Sequence, residues 1–220
     1  MKGIARLGVV LAIFAAAACA SLAVVYSITK PRIEAQEQIA LTASLKDVFP
    51  EAEEFEDVTA TLASDNPDIV FTNAVLVKGA GAPIGVAVKA SGPSYGGKAV
   101  LLVGVALNRS VAGVRILELN DTPGLGANAK NPGYYVNKAE KITFPGQFAG
   151  KFVTDGFVVK GDVAAITAST ITSNALTKIV KTVADKAVLW LENAAAAPAS
   201  EPAAAQEGAA PTDGAPAGGK

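Results

Sequence analysis

Three patterns of apolar positions divide the chain. Leu7 to Ile28, "LGVVLAIFAAAACASLAVVYSI", runs without a charged residue. As a helix this stretch would be about 33 Å long, at about 1.5 Å per residue, enough to cross the hydrocarbon of a bilayer. Tyr26 lies near one end, where an interfacial aromatic is favoured. From Ile69 the period shortens to that of strands. "IVFTNAVLV", "IGVAVKA", "AVLLVGVAL" and "VAGVRILEL" are β-branched runs separated by Gly, Pro and Asn signals, and "FVTDGFVVK" (Phe152–Lys160) is a further candidate. From Ile171 the period is helical. Ile171, Ala175, Ile179, Val183 and Ala187 share one stripe, widened by Leu176, Val180 and Trp190, and the helix is expected to end near Asn193.

This alternation predicts an α+β fold: a single N-terminal transmembrane helix, then a mainly antiparallel sheet packed with helices. The expected divisions are a short N-terminal segment (1–6), the span (7–28), a linker helix with an acidic turn (29–68), a sheet-and-helix domain (69–193) and a tail (194–220). The tail is Ala/Pro/Gly-rich, lacks large apolar residues and is expected to be disordered. In the linker, "PRIEAQEQIALTASLKDVF" (Pro31–Phe49) reads as a helix with Pro31 in its first turn. Ile33, Ala40, Leu41, Leu45 and Val48 would share an apolar face. "PEAEEFED" reads as a solvated acidic turn, because its carboxylates are adjacent rather than convergent.

"AAAC" at Ala16–Cys19 is similar to a lipoprotein cleavage box. Apolar residues continue past Cys19, which favours a retained anchor over a cleaved signal. Lys2 and Arg6 flank one side of the span, Lys30 and Arg32 the other, so charge alone leaves the orientation close to a tie. Large downstream domains translocate regardless of charge. The expected place is therefore a bacterial inner membrane, crossed once, with the soluble domain on the outer, periplasmic side.

Composition narrows the chemistry. The formal net charge is −1, which provides no basic field for nucleic acid. The chain has no histidine, so Ser–His and Cys–His couples, histidine zinc sites and histidine-ligated haem are excluded within it. Its single cysteine, Cys19, lies in the apolar run, and excludes internal disulfides and iron–sulfur clusters. Redox chemistry in this chain would need an organic cofactor held by neither His nor Cys.

One short stretch is dense in polar atoms. Thr167, Ser169, Thr170, Thr172 and Ser173 place five hydroxyls at the start of the last helix. One or two would serve as an N-cap. More of them suit a phosphate, which is also drawn by the free N–H groups and the positive end of the helix dipole. From the residues alone both readings stand.

"TASTITS" (Thr167–Ser173) resembles the Ser-Gly-Ala-Thr-x-Thr motif of a family of FMN-binding proteins. These are the NqrC component of Na⁺-translocating NADH:quinone reductase and the RnfG component of the Rnf electron-transport complex. "TPGLG" (Thr122–Gly126) matches the family's Glu-Thr-Pro-Gly-Leu-Gly loop, with Asp121 in place of the glutamate. "SYGGKAVLLVGVAL" resembles a Gly-Tyr-Gly-Gly strand entry, with Ser94 for the first glycine. "FPGQFAGK" (Phe144–Lys151) resembles a segment ending in Gln-Phe-x-Gly-Lys. The resemblance implies FMN bound covalently, by a phosphoester to Thr170, and installed by a separate flavin transferase. It implies an electron carrier without turnover of its own, working with other subunits of a membrane complex that moves Na⁺ or H⁺; the Rnf type is favoured.

Thr167, Ser169, Thr172 and Ser173 would surround the phosphate, and Thr122, Gly124, Leu125 and Gly126 would lie against the ring, with both glycines permitting close approach. Tyr95 is expected to pack on the sheet and Lys151 to be a surface charge. Two departures stand out: the family's glycine and alanine are Ala168 and Ser169, and its aspartate falls at Ala164, the nearest acid being Asp162. The alternative is a membrane-anchored regulatory or binding module with flavin reversible or absent. A third reading makes the hydroxyls only a cap. A Ser or Thr hydrolase lacks a base.

Overall fold

The span and the linker helix are one element. In the computed structural model, which describes residues 2–196, α1 covers Lys2–Val48 and contains Pro31 in its interior. Proline removes one i→i−4 bond, which a helix continued strongly on both sides absorbs. Within α1, residues 6–48 include a window long and apolar enough to cross a membrane. The shared apolar face expected after Pro31 is shorter than the pattern suggested. Ile33 is 53% exposed and Ala40 is also exposed; burial begins only at Leu45, Val48 and the following Phe49.

Five strands follow: β1 (Glu54–Asp57), β2 (Val70–Gly79), β3 (Ala82–Ser94), β4 (Gly97–Ala106) and β5 (Val111–Leu119). They form one antiparallel meander in that order. The four β-branched runs are β2 to β5. β1 occupies the segment expected to be a turn, where pairing with β2 and a Glu56–Lys78 ion pair of 2.7 Å outweigh its weak propensity. An acidic first strand also suits an exposed edge. The sheet domain therefore starts before residue 69.

The nearly continuous apolar character of β3 and β4 reflects burial on both faces. Val86, Val88, Leu101 and Val103 join the inner core with α2 (Thr170–Ala196), while Ala87 and Leu102 face Leu45, Val48 and Phe49 of the α1 end. α2 buries Leu176, Ile179, Val180, Val183, Ala184 and Ala187. Ile171, expected on this stripe, is 64% exposed, because the first turn of α2 overhangs the sheet. The helix continues past the expected end at Asn193 to Ala196, and residues 197–220 of the expected tail lie outside those described.

Between β5 and α2 the chain forms a small ribbon, β6 (Tyr135–Asn137) with β7 (Ile142–Thr143), and several turns. The strand expected at Phe152–Lys160 is absent. Phe152 makes a single bridge to Ser110; beyond it Asp155 accepts from Phe152 N–H, and Asp162 from Phe157 and Val158 N–H. Aspartate-closed turns prevail there over β-branched composition.

Direction matters for the site. Val48 and Phe49 pack over Gly104, toward the end of the sheet opposite the β3–β4 turn, whereas Glu37, Ala40 and Leu41 line a groove with Val100, Leu117 and Glu118. α1 thus runs along the outer face away from the β3–β4 turn.

A cleft at the mouth of the second helix

At the β3–β4 end of the sheet, three segments meet the start of α2. Ser169 N–H donates to Ile166 O, and the first bond running into the helix is Ser173 N–H to Ser169 O at 3.0 Å. The N–H groups of Thr170, Ile171 and Thr172 therefore precede the helical ladder and lack acceptors within it. In front of them lies a cleft of about 580 Å³, walled by Thr122, Leu125 and Gly126 on one side and Ser169, Thr170 and Thr172 on the other. Such a volume is typical of cofactor and small-ligand sites.

Six of the nine residues expected at the site thus converge. Three do not line the cleft. Ser173 is fully buried, donating to Ser169 O and accepting from Ile166 N–H, both at 2.9 Å, so it braces the turn before α2. Thr167 is exposed and its N–H donates to Tyr134 Oη. Gly124 supplies a left-handed turn (φ +77°) whose carbonyl accepts from Asn128 Nδ2. Gly126 is needed for closeness of a different kind than expected. A Cβ there would stand 2.5 Å from Thr172 Oγ1 and 2.7 Å from Asp121 Oδ2, so its missing side chain makes room for the protein's own polar pair.

Asp121 joins the segments. Its carboxylate accepts from Thr172 Oγ1 at 2.5 Å, Ser94 Oγ at 2.8 Å and Gly96 N–H at 2.7 Å. It is 5% exposed. Above it the rim is apolar and open: Tyr95 is 65% exposed, Ile171 64% and Leu125 41%. Tyr95 therefore does not pack on the sheet as expected, but borders the cleft. Ile171 was missed as a site residue because its period is that of the core stripe. Its position as second residue of the helix was the available signal.

The approach to α2 is pinned by side chains. Gln147 Oε1 accepts from Ala164 N–H at 2.7 Å while its Nε2 donates to Ala164 O at 3.2 Å. Lys151, expected to be a free surface charge, is bonded to Asp162 at 3.0 Å. Burial alone would raise the Asp162 pKa, but donors from Val158, Lys151 and Phe157 together hold it below the usual carboxylate value. Ala168 closes this segment at φ +57°. A left-handed L-residue costs about 1–2 kcal/mol, and glycine at this position would give back about 0.5–1 kcal/mol of that as chain entropy. Ala168→Gly is expected to stabilise the fold by about 0.5–1 kcal/mol. The urea midpoint followed by Trp190, the single tryptophan, should rise.

Residues 1–48 match the RnfG N-terminal region, and residues 94–185 match the FMN-binding domain. The RnfG-type protein of the ion-translocating oxidoreductase complex of Vibrio atlanticus is 32% identical over 193 residues, covering 82% of this chain and 88% of that protein. The chain belongs to the RnfG family. Its counterpart in the Na⁺-translocating ferredoxin:NAD⁺ oxidoreductase complex of Acetobacterium woodii is 30% identical over 194 residues, covering 80% of this chain and 87% of that protein. The crystal structure of Shewanella oneidensis NqrC aligns with a TM-score of 0.47 at 15% identity, over 69% of this chain and 88% of that one. In this RnfG family member, the FMN-binding match spans all the elements that meet at the cleft: the Ser94 turn, the Asp121–Gly126 loop and the first half of α2.

Proposed function

We propose that this chain is the FMN-carrying electron-transfer subunit of a Rnf-type ion-translocating oxidoreductase complex, with the flavin joined through a phosphoester to Thr170 Oγ1. One observation carries the reading: a half-buried threonine hydroxyl, three N–H groups free of the helical ladder and an open apolar rim meet at one cleft. The first two suit a phosphate, and Tyr95, Leu125 and Ile171 suit a planar ring. Bound FMN would supply the redox chemistry at a fixed place. Thr170 would hold the phosphate, the N–H groups of residues 170–172 would face its charge, and the Thr122–Gly126 loop would limit water on one side.

Attachment calls for a flavin transferase and FAD as co-substrate. The Thr170 hydroxyl loses its proton, the Oγ–P bond forms at the flavin-side phosphorus, the pyrophosphate bond breaks and AMP leaves. Electron donor and acceptor are other subunits of the complex. The apolar part of α1 anchors the chain in an inner membrane, with the domain on the periplasmic side.

The test is co-expression with a flavin transferase, followed by denaturing gel electrophoresis viewed for flavin fluorescence, beside Thr170→Val. A bright wild-type band and a dark mutant band are expected. A wild-type band as dark as the mutant overturns the covalent reading. Ala164, Ala168 and Ser169, where the attachment motif departs from its usual form, give the second reading its footing: flavin held reversibly. That outcome would show as a dark band from protein that is yellow before denaturation.

A further inference from the structure

Asp121 lies one layer of atoms behind the cleft. Thr172 and Gly126 both line the cleft, and both touch the carboxylate: Thr172 by the 2.5 Å hydrogen bond, Gly126 with so little space that a Cβ would fall 2.7 Å from Oδ2. All three donors to Asp121 are uncharged, and among the described residues it takes part in no ion pair. Its charge is therefore solvated by dipoles and not cancelled by a cation. In a wall removed from water, a fixed charge acts over several ångströms with little screening by salt. It also stands by the positive end of α2, where it takes up part of the field that the free N–H groups direct into the cleft. Both effects have one sign. An electron added to whatever occupies the cleft is made less favourable.

We infer that Asp121 is a positioning and potential-setting residue: it ties the Tyr95 turn and the Thr122–Gly126 loop to the mouth of α2, and its buried charge holds down the reduction potential of the group in the cleft. This rests on the FMN reading above. The two roles separate by sign. Asp121→Asn keeps the shape and an acceptor for Gly96 N–H while removing the charge. Ser94→Ala keeps the charge and removes a donor that spreads it; Ser94 does not line the cleft, so contacts to a bound ring are unchanged.

The experiment is spectroelectrochemical titration of the flavin-loaded full chain in detergent, at low and high salt. Asp121→Asn is expected to move the midpoint to more positive potential and Ser94→Ala to more negative potential, with both shifts persisting at high salt. A purely structural tie would loosen the cleft in both variants and move both midpoints in the same direction, or neither; either result overturns the inference. If Asp121→Asn does not retain flavin, the sign of the Ser94→Ala shift decides alone. Wild-type protein without any flavin would sink the proposed function together with this inference. Normal flavin loading with unmoved midpoints sinks only the inference.

Discussion

Phe148→Ala is expected to destabilise the domain by about 3–5 kcal/mol, the range for truncating a fully buried phenylalanine. Phe148 has 0% exposure. It meets Phe144 edge-on at 5.6 Å and stacks on Phe157 at 6.1 Å. Both partners belong to segments pinned by side chains, Phe157 through its N–H to Asp162 and Phe144 through its carbonyl to Gln147, so the vacated space has little means of collapsing. A domain of this size loses about 2–4 °C of Tm per kcal/mol, so thermal unfolding read by Trp190 should come roughly 10–15 °C earlier. The loss extends to the site. Gln147, next to Phe148, pairs with Ala164, six residues before Thr170. A shift of less than about 1 kcal/mol would contradict this account of the aromatic cluster.

Gly126→Val carries the second large effect. Its Cβ would fall within 2.5 Å of Thr172 Oγ1 and 2.7 Å of Asp121 Oδ2. Neither group can withdraw freely, since Thr172 is 2% exposed and Asp121 5%. Overpacking together with a broken buried hydrogen bond gives an expected loss of about 2–3 kcal/mol. The same displacement pushes the Thr122–Gly126 loop off α2, so covalent flavin fluorescence per mole of protein should fall well below wild type. A variant with wild-type loading and an unchanged urea midpoint would show that the loop is not held by the Asp121–Thr172 pair.

Much of the fold was legible because it is local. β2 to β5 announce themselves through β-branched runs closed by Gly, Pro and Asn, and α2 through its 3.6-residue period. The hydroxyl cluster and the "TPGLG" turn were visible for the same reason. What was not legible depends on distant partners. β1 is a strand because Lys78 and its neighbours pair with it, not because Glu54–Asp57 favours one. Asp121 takes its donors from Ser94 and Thr172, which lie 27 and 51 residues away, so no window along the chain displays the triad. Ile171 has the spacing of a core residue and lies beyond the edge of the core. Phe152–Lys160 has the composition of a strand, but Asp155 and Asp162 take its N–H groups.

The course of α1 sets how far electrons must travel. Because the helix descends from the cleft end, its apolar residues 7–28 emerge from that end as well. Glu37 is level with Glu118, and Ile28 lies nine residues earlier, about 13 Å along a helix. A bilayer crossed by residues 7–28 would therefore lie against the cleft side of the domain, separated by two to three turns of bare helix. Those turns act as a spacer of defined length. Every turn inserted there would add about 5.4 Å between Thr170 and any redox group in the membrane, and every turn removed would bring the rim of Tyr95, Leu125 and Ile171 closer to the headgroups.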